Sequence, residues 1–345
     1  MKMIGRRAFL GVAGAAGLAI LGGCASGGAA SSAAGSEAAS STGDGSAAAG
    51  DAAPTGVTLT VGTLATEDIL PLWVAQAEDL YSSHGVNVDI VVFQSATELI
   101  SGVSAGEVDL AMTDIMVTAS IFASGTDVQM QWVTLGTSAD QGRFGIMAGP
   151  DSEIDSLEQL AGVPIGVGSN TILEYVMDKL LEGAGVTGDQ VVVEELQKLP
   201  VRFQAMASGD VAAAALPGTL LAFGEASGCK LIADDTQGEN LSQSVMIVRS
   251  ELLGDEGAVQ AIENLEDVWD EAVELVNANP EAYRAVLVQN ANLPDEIADT
   301  YPISSYPTVQ LPTAQMVDSV LAWMGQKGYL TKELTYDGAT GTFSK

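Results

Sequence analysis

Ser104-Ala105-Gly106-Glu107-Val108-Asp109-Leu110-Ala111 closes a helical pattern on a glycine, follows it with an acid and opens an apolar strand. Farther along, Ala207-Ser208-Gly209-Asp210-Val211-Ala212-Ala213-Ala214 does the same. Any helix-to-strand turn favours Gly, whose left-handed conformation costs little, so eight residues do not prove a duplication. Their surroundings, however, also repeat. Residues 57–61 alternate at period two as a strand, 71–84 read as a helix stopped by Gly85, 86–93 as a Val/Ile-rich strand, and 96–105 as a helix. A strand at 108–112 and a helix at 115–124 follow. From Leu157 the alternation restarts: a short helix, a strand at 163–167, a long helix at 171–183, a strand at 191–194, a helix at 201–208 and a strand at 211–216. The remainder is mainly helical, near 256–278, 280–290 and 312–327. This order predicts an α/β fold of two lobes, with mostly parallel sheets covered on both faces by helices. Ligands of such open sheets sit beyond the carboxyl ends of the strands, so function is expected in a cleft there.

The first 55 residues read as an address. Lys2, Arg6 and Arg7 precede the apolar run 8–20, which falls short of the ~20 residues needed to span a bilayer and suits a signal-peptide core. Leu21-Gly22-Gly23-Cys24 resembles a bacterial lipobox, which implies a signal peptide over 1–23 and lipidation of Cys24. Arg6-Arg7-Ala8-Phe9-Leu10-Gly11 also resembles a twin-arginine export signal, although paired arginines occur in ordinary export signals too. Residues 24–55 are Ala, Ser, Gly and Asp with few larger apolar side chains, a tether expected to be disordered. With about 30 flexible residues its r.m.s. reach is roughly 30 Å. The chain carries 45 acids against 13 Lys and Arg, a formal charge of −32 that opposes nucleic acid and anionic lipid headgroups. Beyond Cys24 the only cysteine is Cys229, so no internal disulfide is expected.

Several stretches together carry a resemblance to a known family. They are Val61-Gly62-Thr63-Leu64 leading to Pro71-Leu72-Trp73-Val74-Ala75, His84-Gly85-Val86-Asn87-Val88, the 104–111 turn, Asp155-Ser156-Leu157-Glu158-Gln159-Leu160-Ala161-Gly162 and Ile165-Gly166-Val167-Gly168. In order and spacing, over roughly 57–345, the chain resembles the solute-binding lipoproteins of ABC importers, within them the nitrate/sulfonate/taurine and thiamine-precursor group. The resemblance implies a type II periplasmic-binding fold. Residues 57–145 plus 249–345 would form one lobe and 150–245 the other, with hinge strands near 143–148 and 244–248. It also implies an extracytoplasmic monomer without cofactor or metal, and as partners a small solute of sulfonate, taurine, nitrate or thiamine-precursor type and an ABC permease. A receptor subunit signalling to a membrane sensor would use the same fold.

The ligand is expected at particular turns. Thr63, Leu64 and Thr66 follow the first strand; Glu67 and Asp68 either cap the next helix or accept from a cation. Ser95 holds the comparable place after the second strand, and Thr113-Asp114 after the third, where Asp114 is an N-cap or a cleft acceptor. Ser169-Asn170-Thr171 joins strand to long helix, and its hydroxyls, amide and free N–H groups suit an oxyanion, simple capping, or both. Pro217-Gly218 closes a further strand. Arg143 by the hinge and Arg202 at a helix start are the candidate cleft cations, although a surface pair also explains Arg202; Trp132 is a candidate for stacking. With so few cations, a neutral, zwitterionic or singly charged ligand is favoured over a multiply charged anion. An enzyme is disfavoured: there is one histidine, His84, expected to be exposed, with no G-x-S-x-G elbow, no phosphate loop and no zinc-spaced His/Cys cluster.

Overall fold

A computed structural model describes residues 56–237 and 240–345; the export segment, Cys24 and the tether lie outside them. In chain order the elements are β1 (Thr58–Leu64), α1 (Leu70–Ala77), α2 (Leu80–Ser83), β2 (Asn87–Phe93), α3 (Ala96–Ser104), β3 (Leu110–Asp114), α4 (Ile115–Ser124) and β4 (Val128–Leu135). Then come β5 (Phe144–Ala148), β6 (Pro164–Val167), α5 (Ile172–Gly183), β7 (Val192–Glu195), α6 (Leu199–Ser208), β8 (Ala213–Pro217), α7 (Gly218–Ala226) and β9 (Lys230–Asp234). The chain ends with β10 (Ser244–Arg249), α8 (Glu256–Ala278), α9 (Arg284–Asn290), α10 (Asp295–Ala298), α11 (Ala314–Lys327), β11 (Thr335–Asp337) and β12 (Thr342–Ser344). The helix expected over 71–84 is broken at Asp79, which takes a left-handed φ of 57° between α1 and α2, a conformation Asp tolerates better than most residues. β11 and β12 form a hairpin in a tail expected to be mainly helical.

Two sheets result, of order β11-β12-β4-β10-β3-β1-β2 and β7-β6-β8-β5-β9. Each has a parallel trio, β2-β1-β3 and β7-β6-β8. The expectation of mostly parallel sheets is corrected beyond those trios: β10 runs antiparallel to β3 and β4, and β5 antiparallel to β8 and β9. The reason lies in the connectivity. After β4 the chain passes from the first sheet into the second, entering as β5, and after β9 it returns, entering as β10. A strand arriving from the other sheet is not bound to its neighbour by the helical crossover that requires parallel pairing. The stretches expected as hinge strands, 143–148 and 244–248, are thus the first strands laid down after each crossing. The twin turns sit in matching places, before β3 and before β8, with Gly106 and Gly209 at φ 75° and 81°.

Apolar faces of the elements build the core. Leu59 and Val61 of β1, Leu72 and Val74 of α1, and Leu265, Trp269 and Val273 of α8 are almost fully buried together, each worth roughly 1.5–3 kcal/mol over the exposed state. Trp132 packs here against Trp269, ring centroids 5.7 Å apart, so it is core and not a stacking platform. Cys229 is a buried free thiol among Met147, Phe203 and Met206. Among the described residues no helix is long and apolar enough to cross a membrane.

Candidate functional site

A cavity opens where the parallel strands of both sheets end. From the first sheet come Leu64, Thr66 and Asp68 after β1, Ser95 before α3, and Met112, Thr113 and Asp114 of β3. The second supplies Thr171, Ile172 and Leu173 at the start of α5, Gln197, Leu199 and Arg202 around α6, and Pro217 ending β8. Ala96 and Leu99 of α3, with Phe144 and Ser244, the first strand residues after the two crossings, complete it.

Asp114 is both things its position offered. Its Oδ1 accepts from Val117 N at 2.7 Å, capping α4, while Oδ2 accepts from Ile172 N at 3.0 Å, the first N–H of α5 on the opposite sheet. One carboxylate therefore caps two helices and ties the two sheets together across the cavity. Burial pushes its pKa up to about 6, against the pull of those N–H donors.

The turn from β6 to α5 has the donors expected of an oxyanion cradle, and three of its N–H groups meet carboxylates of the chain itself. Ser169 N donates to Glu195 Oε1 (3.2 Å), Asn170 N to Glu174 Oε2 (2.6 Å) and Ile172 N to Asp114. Asn170 adopts a left-handed φ of 58°, and its Nδ2 donates to Ser120 Oγ of α4 at 2.6 Å. Ser169 bonds Glu195 through its hydroxyl as well. Of the three turn residues only Thr171 lines the cavity, and its hydroxyl donates to Gly168 O at 2.7 Å.

Opposite, the turn after β1 is rich in acceptors. Asp68 is 5% exposed; Oδ1 accepts from the Ser244 hydroxyl, and among the described residues nothing donates to Oδ2. Glu67, beside it, is turned away from the cavity lining into the core, where burial and then the Asp68 charge push its pKa up to about 8, opposed by the Tyr301 hydroxyl. Arg202 is the cavity's one cation. It is 2% exposed, not part of a surface pair, and it donates to three backbone carbonyls: Leu196 O (2.8 Å), Ala215 O (3.0 Å) and Gln197 O (3.2 Å). Burial lowers its pKa to about 10.

Leu64, Thr66, Ser95, Thr113, Asp114, Thr171 and Pro217, all singled out from the sequence, meet around this cavity. Thr63, Arg143, Ser169, Asn170 and Gly218 do not line it. Thr63 is fully buried, its hydroxyl spent on Leu64 O. Arg143 pairs with Asp234 at 2.7 Å and with Glu225 at 2.9 and 3.1 Å. Gly218 lies under the Tyr301 hydroxyl. His84 is half-buried and 2.7 Å from Glu271, far from any cavity residue in its bonding. Phe144, Ser244 and Leu199 were not foreseen. The first two begin the strands expected at the hinge, a signal that was present in their position.

Further contacts join the sheets outside the cavity. Lys327 of α11 reaches Glu174 (2.7 Å) and Asp178 (3.0 Å) of α5, Trp323 Nε1 donates to Asp178 Oδ2 (2.9 Å), and Tyr329 to Glu174 (2.7 Å). At the mouth, Lys198 meets Glu98 at 2.7 Å. The two halves are thus drawn together. Among the described residues no group of His, Cys, Asp and Glu has the arrangement of a metal site.

Comparison with known proteins places this architecture. The family model described as NMT1/THI5 like matches residues 66–283. Among solved structures the chain is similar to the alkanesulfonate-binding protein SsuA from Xanthomonas axonopodis pv. citri bound to MOPS, at 19% identity and TM-score 0.68 over 82% of this chain and 96% of that one. It is similar to the periplasmic aliphatic sulphonate binding protein SsuA from Escherichia coli, at 16% and 0.66 over 80% and 89%. The desulfurization enzyme DSZB also matches, at 16% and 0.60 over 80% and 94%. No curated protein matches the sequence. Identities this low speak for the fold, that of the periplasmic binding proteins with two α/β lobes, and not for a ligand. The family match extends over more than half of the sequence, and the chain belongs to the NMT1/THI5-like family.

Proposed function

We propose that this chain is the extracytoplasmic binding component of an ABC importer, tethered through a lipidated Cys24, which closes two lobes on a small organic solute and presents it to the permease. The observation that carries the reading is the cavity itself. It lies at the carboxyl ends of both parallel trios, takes walls from both sheets, and is spanned by the Asp114 to Ile172 hydrogen bond. The strands near 143–148 and 244–248 would serve as the hinge, with 57–145 plus 249–345 and 150–245 as the moving bodies. Bound solute would favour the closed population, and the permease would recognise that form. No cofactor enters this mechanism, and a monomer suffices for it. The fold also carries a desulfurization enzyme, but the lining of this cavity holds neither cysteine nor histidine, which supports capture over bond chemistry.

The test is mass spectrometry of small molecules released on denaturing protein purified from its own host, followed by thermal-shift titration with what is found and with a broad solute panel. A ligand at ~100 times its dissociation constant adds ~2.7 kcal/mol, a midpoint rise of a few degrees for a chain of this length. A stoichiometric solute that raises the midpoint is the expected result. If none is released and no panel member shifts the midpoint, solute capture is the wrong function.

A further inference from the structure

Resting on the solute-binding reading above, we infer that the cavity selects an amphipathic cation: a protonated amine or amidine head held by Asp68, with an apolar body laid along the remaining wall. The formal charges lining the cavity are Asp68, Asp114 and Arg202, and they are not equally available. Arg202 lines the cavity, but three of its five N–H groups are already given to backbone carbonyls. Asp114 has both oxygens engaged by helix N–H groups. Asp68 is left: a carboxylate more than nine-tenths buried, in no ion pair with any described Lys or Arg, with one oxygen bonded by Ser244 and the other open. A carboxylate so buried and unpaired is costly. A ligand N–H group of positive charge would relieve that cost with a charge-assisted hydrogen bond.

One receptacle for an anion is partly filled by the chain itself in the same structure. A helix start attracts oxyanions through its free N–H groups, but around the start of α5 those of Ser169, Asn170 and Ile172 are taken by Glu195, Glu174 and Asp114. A sulfonate arriving there would meet negative charge. At the start of α4, Val117 N is likewise taken by Asp114.

Beside the polar Thr66, Ser95, Thr113, Thr171, Gln197 and Ser244, the wall has a broad apolar part. Leu64, Leu99, Met112, Phe144, Leu173 and Leu199 face the same space, and a second groove sharing Leu64, Leu199 and Pro217 continues past Phe203 and Phe223. An inorganic ion or a short hydrophilic solute would leave this surface without a partner; a hydrocarbon or aromatic body would cover it. Finally, a chain of charge −32 raises the local concentration of cations and repels anions before any contact is made.

The experiment uses matched probes that differ only in the head: 2-phenylethylamine, 2-phenylethanol and 2-phenylethanesulfonate, and the corresponding hexyl series, titrated calorimetrically into the full chain at pH 7. The amines are expected to bind, the alcohols at least tenfold more weakly, and the sulfonates more weakly still; Asp68→Asn should bring amine affinity down to that of the alcohol. The comparison of heads on the unmodified protein stands even if that variant does not fold. Sulfonates binding better than amines, equal binding of amine and alcohol, or a released native solute that is anionic at pH 7 would each overturn the cation while leaving solute capture intact. If no probe binds and no solute is released, the two readings fall together.

Discussion

The turns that follow the middle strands of the two parallel trios, 65–69 after β1 and 168–171 after β6, occupy equivalent places and do opposite things. The first presents carboxylates: Glu67 withdrawn into the core and Asp68 at the cavity wall. The second presents N–H donors, and the chain meets those of Ser169, Asn170 and Ile172 with carboxylates of its own. Two of its donors, Ile172 N and the Asn170 side-chain amide, reach across to the other half, while on the first turn an acceptor is left over for a ligand. Equivalent topology has therefore been given to two tasks, recognition on one side and closure on the other.

The largest effect expected from perturbing this contrast concerns Glu67. An acid whose pKa is raised in the folded chain binds its proton more tightly there than when unfolded, so the folded state loses stability as pH climbs from about 4.5 to about 8 and does not regain it above. At 1.36 kcal/mol per pKa unit the loss is as much as about 4–5 kcal/mol. Glu67→Gln has no proton to lose, so its stability relative to the parent should rise by several kcal/mol between pH 5 and pH 9 in urea unfolding. Parallel pH profiles for the two proteins would mean that Glu67 is not held neutral by its surroundings and that the first turn is less buried in effect than in geometry.

Asp114 comes next, because it belongs to both sides of the comparison. Asp114→Ala leaves Val117 N and Ile172 N without their acceptor, two caps worth about 1 kcal/mol each, and should cost about 2 kcal/mol overall. Asp114→Asn keeps an acceptor for each role only in part and should fall between. A cap acting on α4 alone would affect stability and spare ligand affinity. Because Asp114 also bridges the sheets, the Ala variant should lose both, and affinity measured beside unfolding separates the two cases.

The contrast between the turns shows which features a sequence can reveal. The repeated glycine turns located β3 and β8, whose ends supply Asp114 and Pro217 to the cavity, because left-handed glycine and the apolar strand after it are local facts. Strand direction was not local: β5 and β10 look like any buried strand, and only the crossings between sheets make them antiparallel. Arg202 was read as a cleft cation or a surface pair, since nothing near it in sequence announces the three carbonyls that bury it. The oxyanion reading of 169–171 found real donors but not their occupants, which come from α5 itself, from β7 and from β3 on the other sheet. Residue types at a turn show what it can bind; only the fold shows what already does.

The smallest effect isolates closure from recognition. Ser120 of α4 accepts from Asn170 Nδ2 at 2.6 Å across the sheets, and Asn170 Oδ1 is already buried without a partner. Ser120→Ala removes that bond at a cost of about 1 kcal/mol, and Ser120 is not itself part of the cavity lining. If lobe opening breaks this bond, the variant shifts the equilibrium toward the open form and weakens every ligand by the same factor, about fivefold for 1 kcal/mol, since apparent affinity scales with the closed fraction. The ratio of amine to alcohol affinity, which the first turn would set through Asp68, should stay as it is in the parent protein. A ratio that changed in Ser120→Ala would show that the second turn also reads the head group, and the division of labour between the two turns would fail.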